Sequence, residues 1–166
     1  MLLFFILFIQ NAKATDCKPT ISHITLHDIE IRSCNKKINK DIKYAVNFWK
    51  NKGFNNFSFN ENKSWDCTGK DFYEKEILYI KVDESKASQK DNNFFVNGAI
   101  TDLHIYSKTK KFHSGVTYIK DAYNNSKKNL LISHELGHVL GFDHVDTNEC
   151  TGYVMNKTTK GMGSKF

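Results

Sequence analysis

Apolar positions along this chain change period several times, and each change marks an element. From Ile21 to Ile31 the pattern alternates, with Ile21, His23, Thr25, His27, Ile29 and Ile31 on one parity, which reads as a first strand. Beyond Cys34 the spacing becomes helical: Ile38, Ile42, Ala45, Val46 and Trp49 recur on one stripe until Gly53 stops it. A helix packed on a sheet is the expectation. Phe54, Phe57 and Phe59 follow in an asparagine-rich setting, and Ile77 to Val82 has the length and composition of a buried strand. Polar residues from Asp83 to Asn93 read as a loop. Ala99 to Tyr106 and Gly115 to Ile119 read as two more strands. Asn124, Asn125 and Ser126 are helix-capping types, and Leu130, Leu131, Leu136, Val139 and Leu140 carry an apolar stripe down to Gly141, beyond which no further helix is expected. Strand, helix, several strands and a second helix make an α+β chain.

Composition narrows the class. With 166 residues, 40% hydrophobic and 13% aromatic, the chain can build one core, and neither a repeat nor a linker divides it. The charge of +6 is spread over lysines scattered among asparagines, so a solvated surface is expected and no nucleic-acid partner. Leu2 to Ile9 is an unbroken apolar run followed by Ala12-Lys13-Ala14, which reads as a secretory signal over residues 1–14, although no basic residue precedes the run. It is too short for a membrane anchor, which takes roughly 20 apolar residues. Residues 15–166 then form one exported domain, extracellular or periplasmic and expected to be monomeric. Cys17, Cys34, Cys67 and Cys150 remain in it, with no CxxC pair; an even count in an exported chain implies two disulfides, and three pairings are open.

The chemistry concentrates in HELGHVLGFDH, His134 to His144. Positions four apart on a helix stand one above the other, so His134 and His138 aim two imidazoles at one point. Glu135 projects beside them as a candidate general base. Gly141 can take the left-handed conformation that ends the helix, which lets His144 return as a third ligand. Three neutral imidazoles leave a fourth tetrahedral position open, the mark of a catalytic zinc site. Zinc lowers the pKa of water there towards about 7, Glu135 takes the proton, and peptide-bond hydrolysis is the reaction that uses all of these parts.

Through His134, Glu135, His138, Gly141 and His144 the chain resembles the metzincin clan of zinc endopeptidases, and Tyr153-Val154-Met155-Asn156 looks like the methionine turn of that clan, with Met155 eleven residues beyond His144. The element order looks most like the matrixin branch. The resemblance implies a zincin-like catalytic domain: a twisted, mostly parallel sheet, an active-site helix and a methionine turn. It also implies one catalytic zinc, a protein or peptide substrate, and an edge strand beginning Ala99, Ile100, Thr101, Asp102 and Leu103 along which an extended substrate pairs.

Departures from the pattern are as informative. Val145 follows the third histidine where matrixins have serine. Leu103-His104-Ile105-Tyr106 looks like part of a second, structural zinc site, but Tyr118 stands where another histidine belongs, so no second zinc is expected. Lys120-Asp121-Ala122 lacks the clustered carboxylates of a calcium site. His23, His27 and His113 read as surface or strand residues rather than ligands. Asp16 and Cys17 are candidates to cap the zinc and confer latency, with a disulfide the expected fate of Cys17. Only eleven residues follow Met155, which predicts a short or open wall to the specificity pocket. The competing expectation is a catalytically silent, zinc-stabilised secreted binding protein, against which the general base Glu135 argues.

Overall fold

The computed structural model describes residues 17–23, 25, 27–68, 72–87, 98–120, 125–145, 148–156 and 161–166. The leader over 1–14, Asp16, Asp121, Ala122, Asn124 and most of the 83–93 loop lie outside the described residues. The elements are β1 (Ile29–Ser33), a 3-10 turn (Lys36–Ile38), α1 (Asn39–Asn51), β2 (Phe57–Phe59), β3 (Ile77–Val82), a one-turn α2 (Glu84–Ala87), β4 (Ala99–Tyr106), β5 (Lys111–Ile119) and α3 (Asn125–Leu140). The chain is α+β, with one five-stranded sheet in the order β2-β1-β3-β5-β4. Four strands run parallel and β4 runs antiparallel to β5 at the edge.

Parallel neighbours need a crossover, and α1 supplies the one between β1 and β2. It packs against α3. Between these helices and the sheet lies the main core, with Ile29, Ile31, Leu78, Ile80, Phe112 and Ile119 from strands meeting Ile42, Trp49, Leu131, Ile132, Leu136 and Val139 from helices. The other parity builds a smaller cluster on the far face, where Ile77, Tyr79, Val116 and Tyr118 pack with Cys67, Trp65 and Phe72. Covering on both faces explains why Ile77 to Ile80 are all buried and read as an unbroken apolar run rather than an alternation.

Trp49 joins the two helices. Its indole Nε1 donates to the Ser133 carbonyl at 2.7 Å, and its ring stacks on Phe142 with Phe54 and Phe166 edge-on. Such a buried indole fills volume and also satisfies its single donor.

The expected first strand is shorter than its alternation suggested. Among the described residues the strand begins at Ile29, and the backbone at residues 20–22 bonds elsewhere: Ser22 N donates to the Gly141 carbonyl and Asp143 N to the Thr20 carbonyl, with Ile21 and Phe142 in an isolated bridge. His23 is therefore not a surface or strand residue. It is buried, and its Nε2 donates to the Val139 carbonyl at 3.1 Å. Two smaller differences follow from local bonding. The strand expected from Gly115 begins at Lys111, where the antiparallel pairing with β4 starts. The start of the 83–93 loop is helical because Asp83 caps it, accepting from Ser85 Oγ and Lys86 N.

Of the three open pairings, the disulfides are Cys17–Cys150 and Cys34–Cys67. The first ties the chain's early segment to the loop beyond α3, and the second ties the end of β1 to the loop covering the far face. Among the described residues, no helix is long and apolar enough to cross a membrane.

Candidate metal centre

Helix α3 carries two of the three histidines, one turn apart. Its end is set by Gly141, whose φ of +101° is left-handed and whose missing Cβ would collide with the His23 carbonyl oxygen. Gly141 N bonds back to the His138 carbonyl and Phe142 N to the Gly137 carbonyl, the double bond of a helix stop. The chain then reverses and His144 faces the helix. The three Nε2 atoms form a near-equilateral triangle, with His134 and His138 3.1 Å apart, His134 and His144 3.1 Å apart, and His138 and His144 3.2 Å apart.

Hydrogen bonds behind the rings set their protonation. His134 Nδ1 faces the Val154 carbonyl and His138 Nδ1 the Phe142 carbonyl, both at 2.8 Å. A carbonyl only accepts, so each Nδ1 carries the hydrogen and each Nε2 presents a lone pair to the centre. Burial, then the neighbouring His138 and His144, drives the His134 pKa well below its ordinary value, outweighing the bond to Val154. Lone pairs this close repel one another unless a cation stands among them. His134, His138 and His144 can hold a metal ion, and among the described residues they are the one such cluster.

Glu135, the residue after His134, is 3% exposed. Burial raises its pKa, against the opposing effects of His138 and of a hydrogen bond from Thr101. That bond runs from Thr101 Oγ1 to Glu135 Oε2 at 2.6 Å, and Thr101 Oγ1 also lies 2.9 Å from Thr117 Oγ1.

Met155 is buried beneath α3. A Cβ at Gly137 would collide with its Sδ and lie 2.9 Å from Trp49 Cζ2, so glycine at 137 makes room for both side chains. The same turn supplies the Val154 carbonyl to His134 and the Met155 carbonyl to Val145 N. Val145 is thus a strut between the third histidine and the turn, buried at 5%.

The candidate edge residues divide by face. Ala99, Thr101 and Leu103 lie towards the helices, while Ile100 packs on the far cluster and Asp102 is exposed. Tyr118 pairs with Ile100 in that far cluster, and His104 sits opposite Ser114 with its ring beside Tyr73. His113 packs edge-on to Tyr106.

The structure places His134, His138 and His144 around one point, with Glu135 on the next residue of α3, Gly141 at the helix end and Met155 against Gly137. Sequence reasoning named Thr101 only for its backbone, and missed Thr117, His23 and Thr25; the last donates from Oγ1 to the Val139 carbonyl at 2.7 Å. No linear signal marks the Thr101–Thr117 pair, which exists through the β4–β5 register alone. Compared with known proteins, the chain matches no family model, no curated protein and no solved structure.

Proposed function

We propose that this chain is an exported zinc-dependent endopeptidase of the metzincin type, most like the matrixin branch, with a zincin-like catalytic domain. The observation that carries it is the Nε2 triangle with a buried carboxylate on the adjoining residue. Tetrahedral zinc at about 2.0–2.1 Å from each nitrogen requires nitrogens about 3.3–3.4 Å apart. The 3.1–3.2 Å separations fit that with a small outward adjustment.

When bound, zinc would polarise the scissile carbonyl and acidify the attacking water. Glu135 removes the proton from that water and returns it to the leaving amine. One carboxylate serves both transfers, holding the proton between them; in the metal-free chain burial raises its proton affinity. Strand β4 pairs on one side with β5 and offers its other edge to an extended peptide. Two disulfides suit a protein working outside a reducing compartment.

The test is cleavage of an unfolded protein such as casein by the purified, disulfide-intact chain. Cleavage should stop with a zinc chelator, and Glu135→Ala should abolish it while zinc stays bound. Activity persisting in that variant would sink the mechanism. A zinc-loaded chain that cleaves nothing in a proteome-derived peptide library would instead be a zinc-stabilised binding protein.

A further inference from the structure

We propose that Thr101 is a positioning residue for Glu135, and that Thr117 sets the direction of its hydrogen bond. The inference deepens the peptidase reading and rests on it. A hydroxyl has one hydrogen to donate and lone pairs to accept with. The Glu135 carboxylate only accepts, so the hydrogen of Thr101 goes to Oε2, 2.6 Å away. Thr117 Oγ1, 2.9 Å from Thr101 Oγ1, must then donate to it. The chain of bonds therefore runs one way, from Thr117 through Thr101 to Glu135.

Its members come from three elements: Thr117 on β5, Thr101 on the edge strand β4, and Glu135 on α3. Thr101 and Thr117 are direct partners in the antiparallel register and share the helix-facing side of the sheet. Thr117 is fully buried, so its hydroxyl has no bulk water to turn to. A glutamate has three side-chain torsions and wanders unless one oxygen is tied down. Tying Oε2 to the sheet leaves Oε1 for the reacting proton and holds it in one place relative to the histidines. The strand proposed to bind substrate thereby also aims the base, so a shift of β4 moves both together.

The experiment compares Thr101→Val, Thr101→Ser and Thr117→Val with the wild-type chain, all disulfide-intact and zinc-loaded. Valine keeps the shape and removes the hydroxyl; serine keeps the hydroxyl. A hydrogen bond to a charged group corresponds to about a tenfold to hundredfold effect. Thr101→Val should lower kcat by about that factor with KM and zinc content unchanged, Thr101→Ser should restore it, and Thr117→Val should show a smaller loss in the same direction.

An independent readout is the side-chain carboxyl 13C resonance of Glu135, assigned by its loss in Glu135→Gln. It should move in Thr101→Val and stay in Thr101→Ser. A resonance unmoved in Thr101→Val would overturn the proposal, as would a Thr101→Ser enzyme no more active than Thr101→Val. If the wild-type chain cleaves nothing while the resonance still moves, the peptidase reading fails and the tether stands.

Discussion

The Nδ1–H of His134 donates to the carbonyl oxygen of Val154 at 2.8 Å, joining the middle of α3 to the residue before Met155. The bond orients the His134 ring and also holds the turn against the helix. For a metal held by these histidines, affinity and packing beneath the helix should therefore be coupled, and each probes the other.

Zinc should stabilise the fold by mass action. Free zinc at about a thousand times Kd adds about 4 kcal/mol, which for a domain of this size raises Tm by about 8–16 °C. His138→Ala should remove most of that increment while leaving the metal-free Tm little changed. Calorimetry with and without zinc checks both halves.

Gly137→Ala tests the space shared by Met155 and Trp49. Alanine gains about 1 kcal/mol of helix propensity over glycine, whereas overpacking costs about 1–3 kcal/mol. The collision with Met155 Sδ and the 2.9 Å approach to Trp49 decide for overpacking, so a net loss of up to about 2 kcal/mol is expected. Met155→Ala leaves a cavity and costs about 2–5 kcal/mol. Adding Gly137→Ala to it should cost less than Gly137→Ala alone, since the Met155 collision is gone and only the approach to Trp49 remains, and a double-mutant cycle by urea unfolding measures the coupling.

His23 makes stability depend on pH. Burial lowers its pKa below 6.5, against the opposing bond to Val139 and the charge of Asp143. Its folded value thus lies below its unfolded value, so the unfolded chain binds the extra proton first. The contribution is fully present above 6.5 and is lost as pH falls from there towards the folded value. His23→Gln should flatten this part of the profile. The difference between wild-type and variant urea midpoints across about pH 5–8 reports His23 together with its coupling to the nearby His138.

The two disulfides should contribute unequally. Cys17–Cys150 closes a span of 133 residues and Cys34–Cys67 one of 33. Loop-closure entropy assigns about 5 kcal/mol to the first and about 4 kcal/mol to the second. Paired serine substitutions followed by denaturant unfolding should rank them in that order. The Cys17/Cys150 pair should also loosen residues 20–23 from Gly141 and Asp143, visible as faster amide exchange at Ser22 and Asp143.

Much of the centre was legible in the chain because it is local. His134, Glu135, His138, Gly141 and His144 lie within eleven consecutive residues, and helical spacing followed by a left-handed glycine is enough to point the three rings inward. The strands Ile77–Val82 and Ala99–Tyr106 were equally legible, since their apolar runs are bounded by polar loops or glycine. The span from Ile21 to Asp28 misled for a physical reason. Alternation reports that every second side chain is apolar or polar, but not which backbone will pair with it, and here the turn after α3 does, accepting at Gly141 and donating from Asp143.

By itself, then, the sequence determined the three-histidine array, the α+β class and the strands Ile77–Val82 and Ala99–Tyr106, because each depends on neighbours a few residues apart. Only the tertiary structure decided which cysteines pair, that His23 is buried against the end of α3, and that Thr101 and Thr117 reach Glu135. Those contacts join residues from 16 to 133 positions apart. The threonine contact is set by the β4–β5 register, and the His23 and Cys17–Cys150 contacts by the packing of the early segment against the turn and loop after α3; none of these is written in a single stretch of the chain.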